Sequence, residues 1–391
     1  MFETLPPLAP DPILGLAEIV RADERPGTID LTAGVYKDDS GTTPVFESVR
    51  LAQSAHLAEE RAKDYLPIGG TAEFSKLVGE LVLGEHDTER VRTLQTPGGT
   101  GALSIAAGLF ARVDPAPVVW LPTPTWPNHH GIVALRHLEI RSYDYPSRAA
   151  GGLDVDAVLE GLASVGRGDV VLLHGCCHNP TGVDPEPGDW PRIIATVAER
   201  GAVPLVDLAY LGLGDGVVPD RVAVGAVLSA GVDAVVCSSF SKNMGLYRER
   251  VGGLSVIGAG PGAASLAFDQ AKSVVRATYS NPPSFGGQVV TRVLGDADLR
   301  ATWTGELDAL RDRINTLRVE LAAAATEAGL PYLRTVADER GMFAMTGLPP
   351  EIVSSLRKEC GIYVLDNGRA NVAGLSSATI PTFIEAIARF S

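Results

Sequence analysis

A lysine stands among small hydroxyl residues at positions 238–243 (SSFSKN), directly after a short apolar run. The amine of Lys242 can attack a carbonyl carbon and form a Schiff base when neighbouring groups lower its pKa. Arg250 follows eight residues later and can bind a phosphate through two parallel N–H donors. Taken alone, a lysine in such a segment is more often an ordinary solvated loop residue. Other motifs must support the segment before it predicts carbonyl chemistry.

A glycine-rich turn at residues 96–101 (TPGGTG) opens a predicted helix. Backbone N–H groups at such a turn bind phosphate with the help of the helix dipole, which makes Gly99 and Thr100 candidate phosphate ligands. The turn lacks the GxGxxG spacing of dinucleotide sites, and no acidic residue follows at the distance that those sites require. An ordinary turn that uses glycine for its backbone geometry is an equally good interpretation.

An apolar run ends at Asp207, and Tyr210 follows three residues later. A carboxylate at a strand end can pair with a protonated pyridine nitrogen, the partner that a pyridoxal ring needs to act as an electron sink. The Tyr210 hydroxyl could bond the phenolic oxygen of the same ring. The alternative is that Asp207 caps the following helix.

Two histidines and two cysteines lie within residues 174–178 (HGCCH). Zinc is an obvious hypothesis, but strand alternation would send neighbouring side chains to opposite faces, and the usual ligand spacings are absent from the sequence. We therefore predict no metal. The turn that follows, residues 179–182 (NPTG), could direct the Asn179 amide at a ligand oxygen, or could simply be a turn.

Two further arginines, Arg276 and Arg369, stand beside turn residues. Each could present a planar guanidinium to a carboxylate, and two of them would suit a dicarboxylic acid. Alone, each is more often a surface arginine.

Composition limits the classes of function. The chain has 391 residues and a net charge of −14, so it lacks the basic surface of a nucleic-acid-binding protein. Its four cysteines are too few for a disulfide framework, and an adjacent pair at 176 and 177 cannot bridge without strain. The sequence starts without a basic and apolar leader and has no apolar stretch of membrane-spanning length. We expect a cytoplasmic protein with reduced thiols and no membrane association.

These candidate residues must be positioned by a fold, and the hydrophobic pattern predicts an α/β protein. Short apolar runs alternate with helical segments, as in a mostly parallel sheet flanked by helices. The predicted strands are 118–121, 170–174, 203–207 and 234–237. We expect a large domain over residues 45–300. A smaller α/β lobe would combine residues 1–44 with 301–391 and would contain helices at 13–21 and 304–328 and strands at 343–345 and 362–364.

The order and spacing of about ten motifs resemble the aspartate aminotransferases, pyridoxal-phosphate enzymes of fold type I. The resemblance extends over nearly the whole chain, from residues 11–16 (DPILGL) and 21–26 (RADERP) to residues 371–374 (NVAG). It is more specific than any single motif and outweighs the alternative interpretations given above.

The resemblance implies pyridoxal 5'-phosphate as the cofactor. Lys242 matches the lysine that binds the cofactor covalently and moves a proton, and Asp207 matches the partner of the pyridinium nitrogen. Tyr210 and Asn179 match the residues at the phenolic oxygen. The other matches are Gly99, Thr100, Ser239 and Arg250 at the phosphate, Trp126 on the ring, and His129 behind the aspartate.

On the substrate side, Arg369 resembles the arginine that binds the α-carboxylate, and Gly34 lies in the matching loop, together with Trp126 and Asn179. Tyr65 and Arg276 match residues that one subunit lends to the active site of its partner, so the resemblance implies a homodimer. The implied reaction is ping-pong transamination between L-aspartate and 2-oxoglutarate, giving oxaloacetate and L-glutamate.

Aromatic aminotransferases share the cofactor residues, so specificity depends on the substrate side. Five positions resemble the aspartate-specific version: Val35, Lys37, Thr43, Thr100 and Asn281. Asp64, Phe240 and Met244 depart from the expected residues. The negative charge of Asp64 could favour a neutral substrate side chain, and aromatic or dual specificity is the main alternative. A nicotinamide dehydrogenase would leave Lys242, Asp207 and Arg250 unexplained. A non-catalytic binding protein on the same fold would normally have lost Lys242 or gained a DNA-binding module.

Overall fold

A computed structural model describes residues 1–5, 14–147 and 152–391. The chain divides into two units. The small unit comprises Met1–Thr43, Ile314–Ala337 and Met342–Ser391, and the large unit comprises Pro44–Arg313 and Asp338–Gly341. The domain limits expected at residues 45 and 300 stay a prediction. The motif at residues 11–16 lies partly outside the described residues.

The strands of the described residues are numbered in chain order. They are β1 (Ile29–Asp30), β2 (Val91–Pro97), β3 (Val119–Thr123), β4 (Ile140–Asp144), β5 (Val170–His174), β6 (Val203–Leu208), β7 (Ala234–Ser239), β8 (Val251–Ile257), β9 (Phe343–Met345), β10 (Ile362–Tyr363) and β11 (Arg369–Asn371).

The α-helices are numbered in the same way. They are α1 (Leu14–Ala22), α2 (Glu47–Glu59), α3 (Ala72–Leu83), α4 (Gly98–Phe110), α5 (Asn128–Ala134), α6 (Val155–Leu162), α7 (Trp190–Glu199), α8 (Val222–Ala230), α9 (Pro261–Thr278), α10 (Ser284–Gly295), α11 (Ala297–Glu327), α12 (Pro350–Ser355) and α13 (Ile380–Phe390). None of these helices is both long enough and apolar enough to cross a membrane.

The large unit is built on a seven-stranded sheet with the order β2-β8-β7-β6-β5-β3-β4. Five neighbouring strands run parallel, in the order β4, β3, β5, β6 and β7. Strand β8 lies antiparallel between β7 and β2. Every residue of β5, β7 and β8 is buried. A strand that is covered on both faces has apolar residues at successive positions. The sequence therefore indicated these strands by continuous apolar runs and not by alternating patterns.

One hydrophobic core of the large unit lies between the sheet and helices α4, α5 and α9. It includes Ile105 and Phe110 of α4, Leu121 of β3, Leu172 of β5 and Val275 of α9. Because α4 begins where β2 ends, this packing also fixes the glycine-rich turn against the sheet.

The small unit contains two short sheets, β1 with β10 in parallel and β9 with β11 antiparallel. Its core includes Leu321 of α11, Leu356 directly after α12, and Phe383 of α13. The fully buried guanidinium of Arg318 donates to the carbonyl of Phe343 at 2.6 Å and so connects α11 to β9. Of the predicted helix at 13–21, residue 13 lies outside the described residues. The helix predicted at 304–328 begins earlier, at residue 297.

Candidate active site

The carboxyl ends of the parallel strands bring most of the candidate residues of the large unit to one edge of the sheet. His174 ends β5 and is in register with Asp207 on β6, which is in register with Cys237 on β7. The chain leaves β7 at Ser239 and reaches Lys242 three residues later. Ligands of open α/β sheets bind at this kind of edge.

Asp207 is buried and accepts a hydrogen bond from a histidine. His129 Nε2 lies 3.1 Å from Asp207 Oδ2. Behind it, Thr125 Oγ1 lies 2.8 Å from His129 Nδ1 and 3.0 Å from His174 Nε2. The backbone N–H of Asn179 donates to His174 Nδ1 at 3.4 Å. A continuous chain of hydrogen bonds therefore runs from Asn179 to Asp207.

The outermost donor sets the direction of this chain. Since the Asn179 N–H donates to Nδ1 of His174, the neutral His174 ring carries its proton on Nε2 and donates to Thr125. The Thr125 hydroxyl then donates to His129, which donates to Asp207. Burial and the nearby His129 lower the pKa of His174 to about 3, so its ring is neutral at physiological pH.

The same chain keeps Asp207 ionised. Burial alone would raise the pKa of this carboxyl, but the hydrogen bond that His129 donates, together with the nearby Lys242 amine, outweighs burial. The net pKa of Asp207 therefore lies below its usual value. A buried carboxylate in this state attracts a cationic partner, such as a protonated ring nitrogen.

Lys242, Tyr210 and Asn179 are close together at this edge. The Lys242 Nζ lies 4.5 Å from the centroid of the Tyr210 ring. The Asn179 Nδ2 donates to the Tyr210 hydroxyl at 3.4 Å, and both of these side chains are buried. Trp126 is half-buried, with its ring 5.2 Å from that of His129 at 88°.

Gly99, Thr100, Ser239 and Arg250 form a cradle at the start of α4. The first N–H groups of this helix receive no side-chain cap, because the N-cap residue is Pro97. A Cβ on Gly99 would lie 3.2 Å from the Cβ of Ser239, so the helix start and the end of β7 are in close contact. Uncapped N–H groups, a hydroxyl and a guanidinium are suitable ligands for a phosphate.

Two backbone conformations hold this cradle in shape. Gly98 has φ +75°, and a Cβ there would lie 2.6 Å from Arg250 Nη2, so only glycine fits without strain. Arg250 itself has φ +54°. Its Nη1 donates to the Tyr247 carbonyl at 2.8 Å and to the Ser241 hydroxyl at 3.4 Å, which orients the guanidinium.

In the small unit, Arg369 and Gly34 both contact Phe343. The Arg369 side chain is buried, its Nη2 donates to the Thr32 carbonyl at 2.7 Å, and its guanidinium lies 4.2 Å from the Phe343 ring centroid. A Cβ on Gly34 would lie 3.0 Å from the same ring. The arginine and the loop are therefore brought together as one group within this unit.

Tyr65 and Arg276 lie at the surface of the large unit, where Tyr65 is 92% exposed. The Arg276 guanidinium donates to the Ser280 hydroxyl, which donates to Asn281 Oδ1 at 2.9 Å. The Asn281 amide in turn donates to the Leu66 carbonyl at 2.6 Å. These bonds connect Arg276 to the residue that follows Tyr65.

Sequence reasoning missed Thr125, Ser241 and Ser280 as members of these groups. Thr125 stands four residues before His129, and that spacing is the one signal for it in the sequence. The expectation that alternation separates Cys176 from Cys177 was wrong. Cys177 has φ +51°, and both sulfurs lie within 4.8 Å of each other and of an Asp220 carboxylate oxygen. That carboxylate already accepts backbone N–H bonds from three residues: Gly212, Gly214 and Asp215.

Comparison with known proteins identifies the family of the chain. A family model described as aminotransferase class I and II matches residues 26–387. An aspartate aminotransferase of Escherichia coli is 42% identical over 99% of each chain. An aromatic-amino-acid aminotransferase of Pseudomonas aeruginosa is also 42% identical, over 97% of this chain and 96% of its own.

A crystal structure of the aromatic-amino-acid aminotransferase of Burkholderia pseudomallei, covalently bound to pyridoxal phosphate, has a TM-score of 0.95 and 38% identity. It covers 100% of this chain and 99% of its own. The predicted fold class is confirmed, and so is the predicted cofactor. By motif, fold and family, the chain belongs to the class I and II aminotransferases.

Proposed function

We propose that this aminotransferase transfers the amino group of L-aspartate to 2-oxoglutarate and releases oxaloacetate and L-glutamate. The observation that carries the proposal is the Lys242 amine 4.5 Å from the Tyr210 ring, at the strand edge that also holds the ionised Asp207. A reactive amine and a carboxylate with a lowered pKa, placed together at a strand edge, are the groups that amino transfer requires.

The residues of this edge fit pyridoxal phosphate. Asp207 would pair with the ring nitrogen, Lys242 would bind the cofactor covalently, and the phenolic oxygen would meet Asn179 and Tyr210. Trp126 would lie on the ring, and the phosphate would occupy the cradle, whose members are Gly99, Thr100, Ser239 and Arg250. When bound, the cofactor supplies an electron sink that makes the Cα–H bond of an amino acid acidic.

Lys242 moves the proton in this proposal. Its amine takes the proton from Cα of L-aspartate in the first half-reaction and returns a proton to Cα of the product amino acid in the second. Asp207 keeps its charge throughout because His129 donates to it. The two half-reactions share one site, so the kinetics are ping-pong.

Arg369 and Gly34 bind the α-carboxylate. The bond from Arg369 to the Thr32 carbonyl and the contact with Phe343 hold the guanidinium in one orientation. A guanidinium that is already fixed binds a carboxylate with little loss of rotamer entropy. The bound carboxylate then orients the Cα–H bond of the substrate.

Tyr65 and Arg276 complete the active site of the partner subunit in a homodimer. Two observations support this role. Tyr65 is 92% exposed, and hydrogen bonds through Asn281 and Ser280 connect its loop to Arg276. An exposed aromatic residue in a well-bonded loop is typical of a surface that another chain covers. Tyr65 would reach the phosphate of the partner, and Arg276 the distal carboxylate of its substrate. A cytoplasmic location agrees with four cysteines that form no disulfide.

The second candidate is an aromatic or dual-specificity aminotransferase. Asp64 favours it, because this negative charge stands beside Tyr65 and would repel a distal carboxylate. Val35, Lys37, Thr43, Thr100 and Asn281 favour aspartate by resemblance. The test is kcat/KM for L-aspartate and L-phenylalanine with 2-oxoglutarate. A larger value for L-aspartate supports the proposal, and a larger value for L-phenylalanine replaces it with the second candidate.

A further inference from the structure

Lys242 lies outside the helices and strands. Residues 241–244 form a turn after β7, and within it the Gly245 N–H donates to the Lys242 carbonyl at 3.2 Å. Loops are the more mobile parts of a fold, yet proton transfer requires an amine that is held to within a fraction of an ångström. Other contacts must therefore fix this turn.

Two buried side chains provide those contacts. Asn243 and Trp303 are each 1% exposed. The indole Nε1 of Trp303, on α11, donates to the backbone carbonyl of Asn243 at 2.7 Å. The Asn243 side-chain Nδ2 donates to the Leu211 carbonyl at 3.1 Å. The residue after the lysine is thus bonded on one side to a long helix and on the other to the residue after Tyr210.

Building on the proposed function, we infer that Trp303 and Asn243 are positioning residues that hold the Lys242 amine over the Tyr210 ring for proton transfer. Neither residue reaches the reacting atoms. Asn243 fixes the spacing between the Lys242 and Tyr210 segments, and Trp303 prevents the turn from moving away from them. Small displacements of a reacting group by distant mutations lower rates by about 10²-fold in other enzymes.

The test replaces each donor without opening a large cavity. Trp303→Phe keeps an aromatic ring but loses the N–H, and Asn243→Leu keeps a similar volume but loses the amide. Trp120→Phe is the matched control, since the buried Trp120 on β3 also donates from Nε1, at 2.8 Å to Oδ2 of Asp169, which directly precedes β5.

The first readout is amide hydrogen exchange of peptides covering residues 240–246, in protein with and without cofactor. We expect faster exchange of this segment in Trp303→Phe and in Asn243→Leu, and wild-type exchange in Trp120→Phe. A purely structural role for Trp303 would instead accelerate exchange across α11 and the core together, and that result would overturn the inference.

The second readout is the primary isotope effect for Cα-deuterated amino acid in the half-reaction with cofactor-loaded enzyme. We expect kcat to fall about tenfold or more in Trp303→Phe, with a larger isotope effect and an unchanged KM, because only the proton transfer is slowed. If both donors act as one unit, the double variant is no slower than the slower single variant.

The wild-type enzyme distinguishes a failure of the proposed function from a failure of the positioning role. A wild-type protein that transaminates neither amino acid refutes the proposed function. An active wild type whose Trp303→Phe variant keeps its isotope effect and its exchange pattern refutes only the positioning role. If Trp303→Phe does not fold, Asn243→Leu gives the same two readouts independently.

Discussion

The Nε2 of His129 lies 3.1 Å from Oδ2 of Asp207, and both side chains are buried. This bond joins a carboxylate at the end of a sheet strand to a histidine on a different element, the start of α5. The bond lowers the pKa of Asp207 although burial acts in the opposite direction. The charge that the cofactor ring requires is therefore stabilised by a neighbouring side chain on another element.

Replacing His129 by leucine should slow the enzyme and change its pH profile. Without the hydrogen bond, burial raises the pKa of Asp207, so the acid limb of kcat/KM should move to higher pH. Loss of a bond to a charged group corresponds to roughly 1.5–3 kcal/mol, or about tenfold to 100-fold in rate. The control is His130→Leu, at an exposed position beside it. An unshifted acid limb in His129→Leu would contradict this role of the bond.

The neutral state of His174 predicts a loss of stability in acid. The unfolded chain protonates this histidine below its usual pKa of 6.5, whereas the folded chain does so near pH 3. Unfolding then takes up a proton. The free energy of unfolding therefore decreases as the pH is lowered from 6.5 towards 3, by about 1.4 kcal/mol per pH unit. Asp184 acts in the opposite sense, since burial raises its pKa to about 6 and its protonation stabilises the folded state below that pH.

Denaturant unfolding at pH 7 and pH 5 measures the His174 contribution. His174→Gln should lose about 2 kcal/mol less than the wild type between the two pH values. His130→Gln, which changes an exposed histidine, should behave like the wild type. Equal losses in His174→Gln and the wild type would contradict a neutral, buried imidazole.

Shared active sites predict that two inactive variants restore each other. A Lys242→Ala subunit retains Arg276, and an Arg276→Leu subunit retains Lys242. In a mixed dimer one site therefore contains both residues. Random mixing should recover about a quarter of the wild-type activity on L-aspartate. Mixed dimers that are detected by mass spectrometry but remain inactive would show that each subunit uses its own Arg276.

Asp64 should reduce the preference for dicarboxylic substrates. Asp64→Asn removes a negative charge beside Tyr65, so the ratio of kcat/KM for L-aspartate to that for L-phenylalanine should rise by about threefold to tenfold at low salt. The increase should shrink as salt is added. Asp39→Asn, at another exposed acidic position, serves as the control. An unchanged ratio in Asp64→Asn would show that Asp64 does not determine substrate specificity.

The sequence predicted the parts of the site that depend on local pattern. The runs that became β5, β6 and β7 are buried on both faces, so their hydrophobicity is continuous, and Asp207 and Lys242 could be placed near their ends. Contacts between distant residues have no such signal. The bond from Trp303 to Asn243 spans 60 positions. Cys177 lies after the end of β5 and has a left-handed backbone, so strand alternation does not apply to it.

The most direct measurement is an absorbance titration of the cofactor-loaded protein with L-aspartate, with Lys242→Ala beside it. We predict that the absorbance band of the lysine-bound cofactor is present in the wild type and disappears at low aspartate concentration. Lys242→Ala should bind cofactor without this response. A band that persists with aspartate and disappears with L-phenylalanine would contradict the substrate. The absence of any lysine-bound band in cofactor-supplemented wild-type protein would contradict the proposed enzyme.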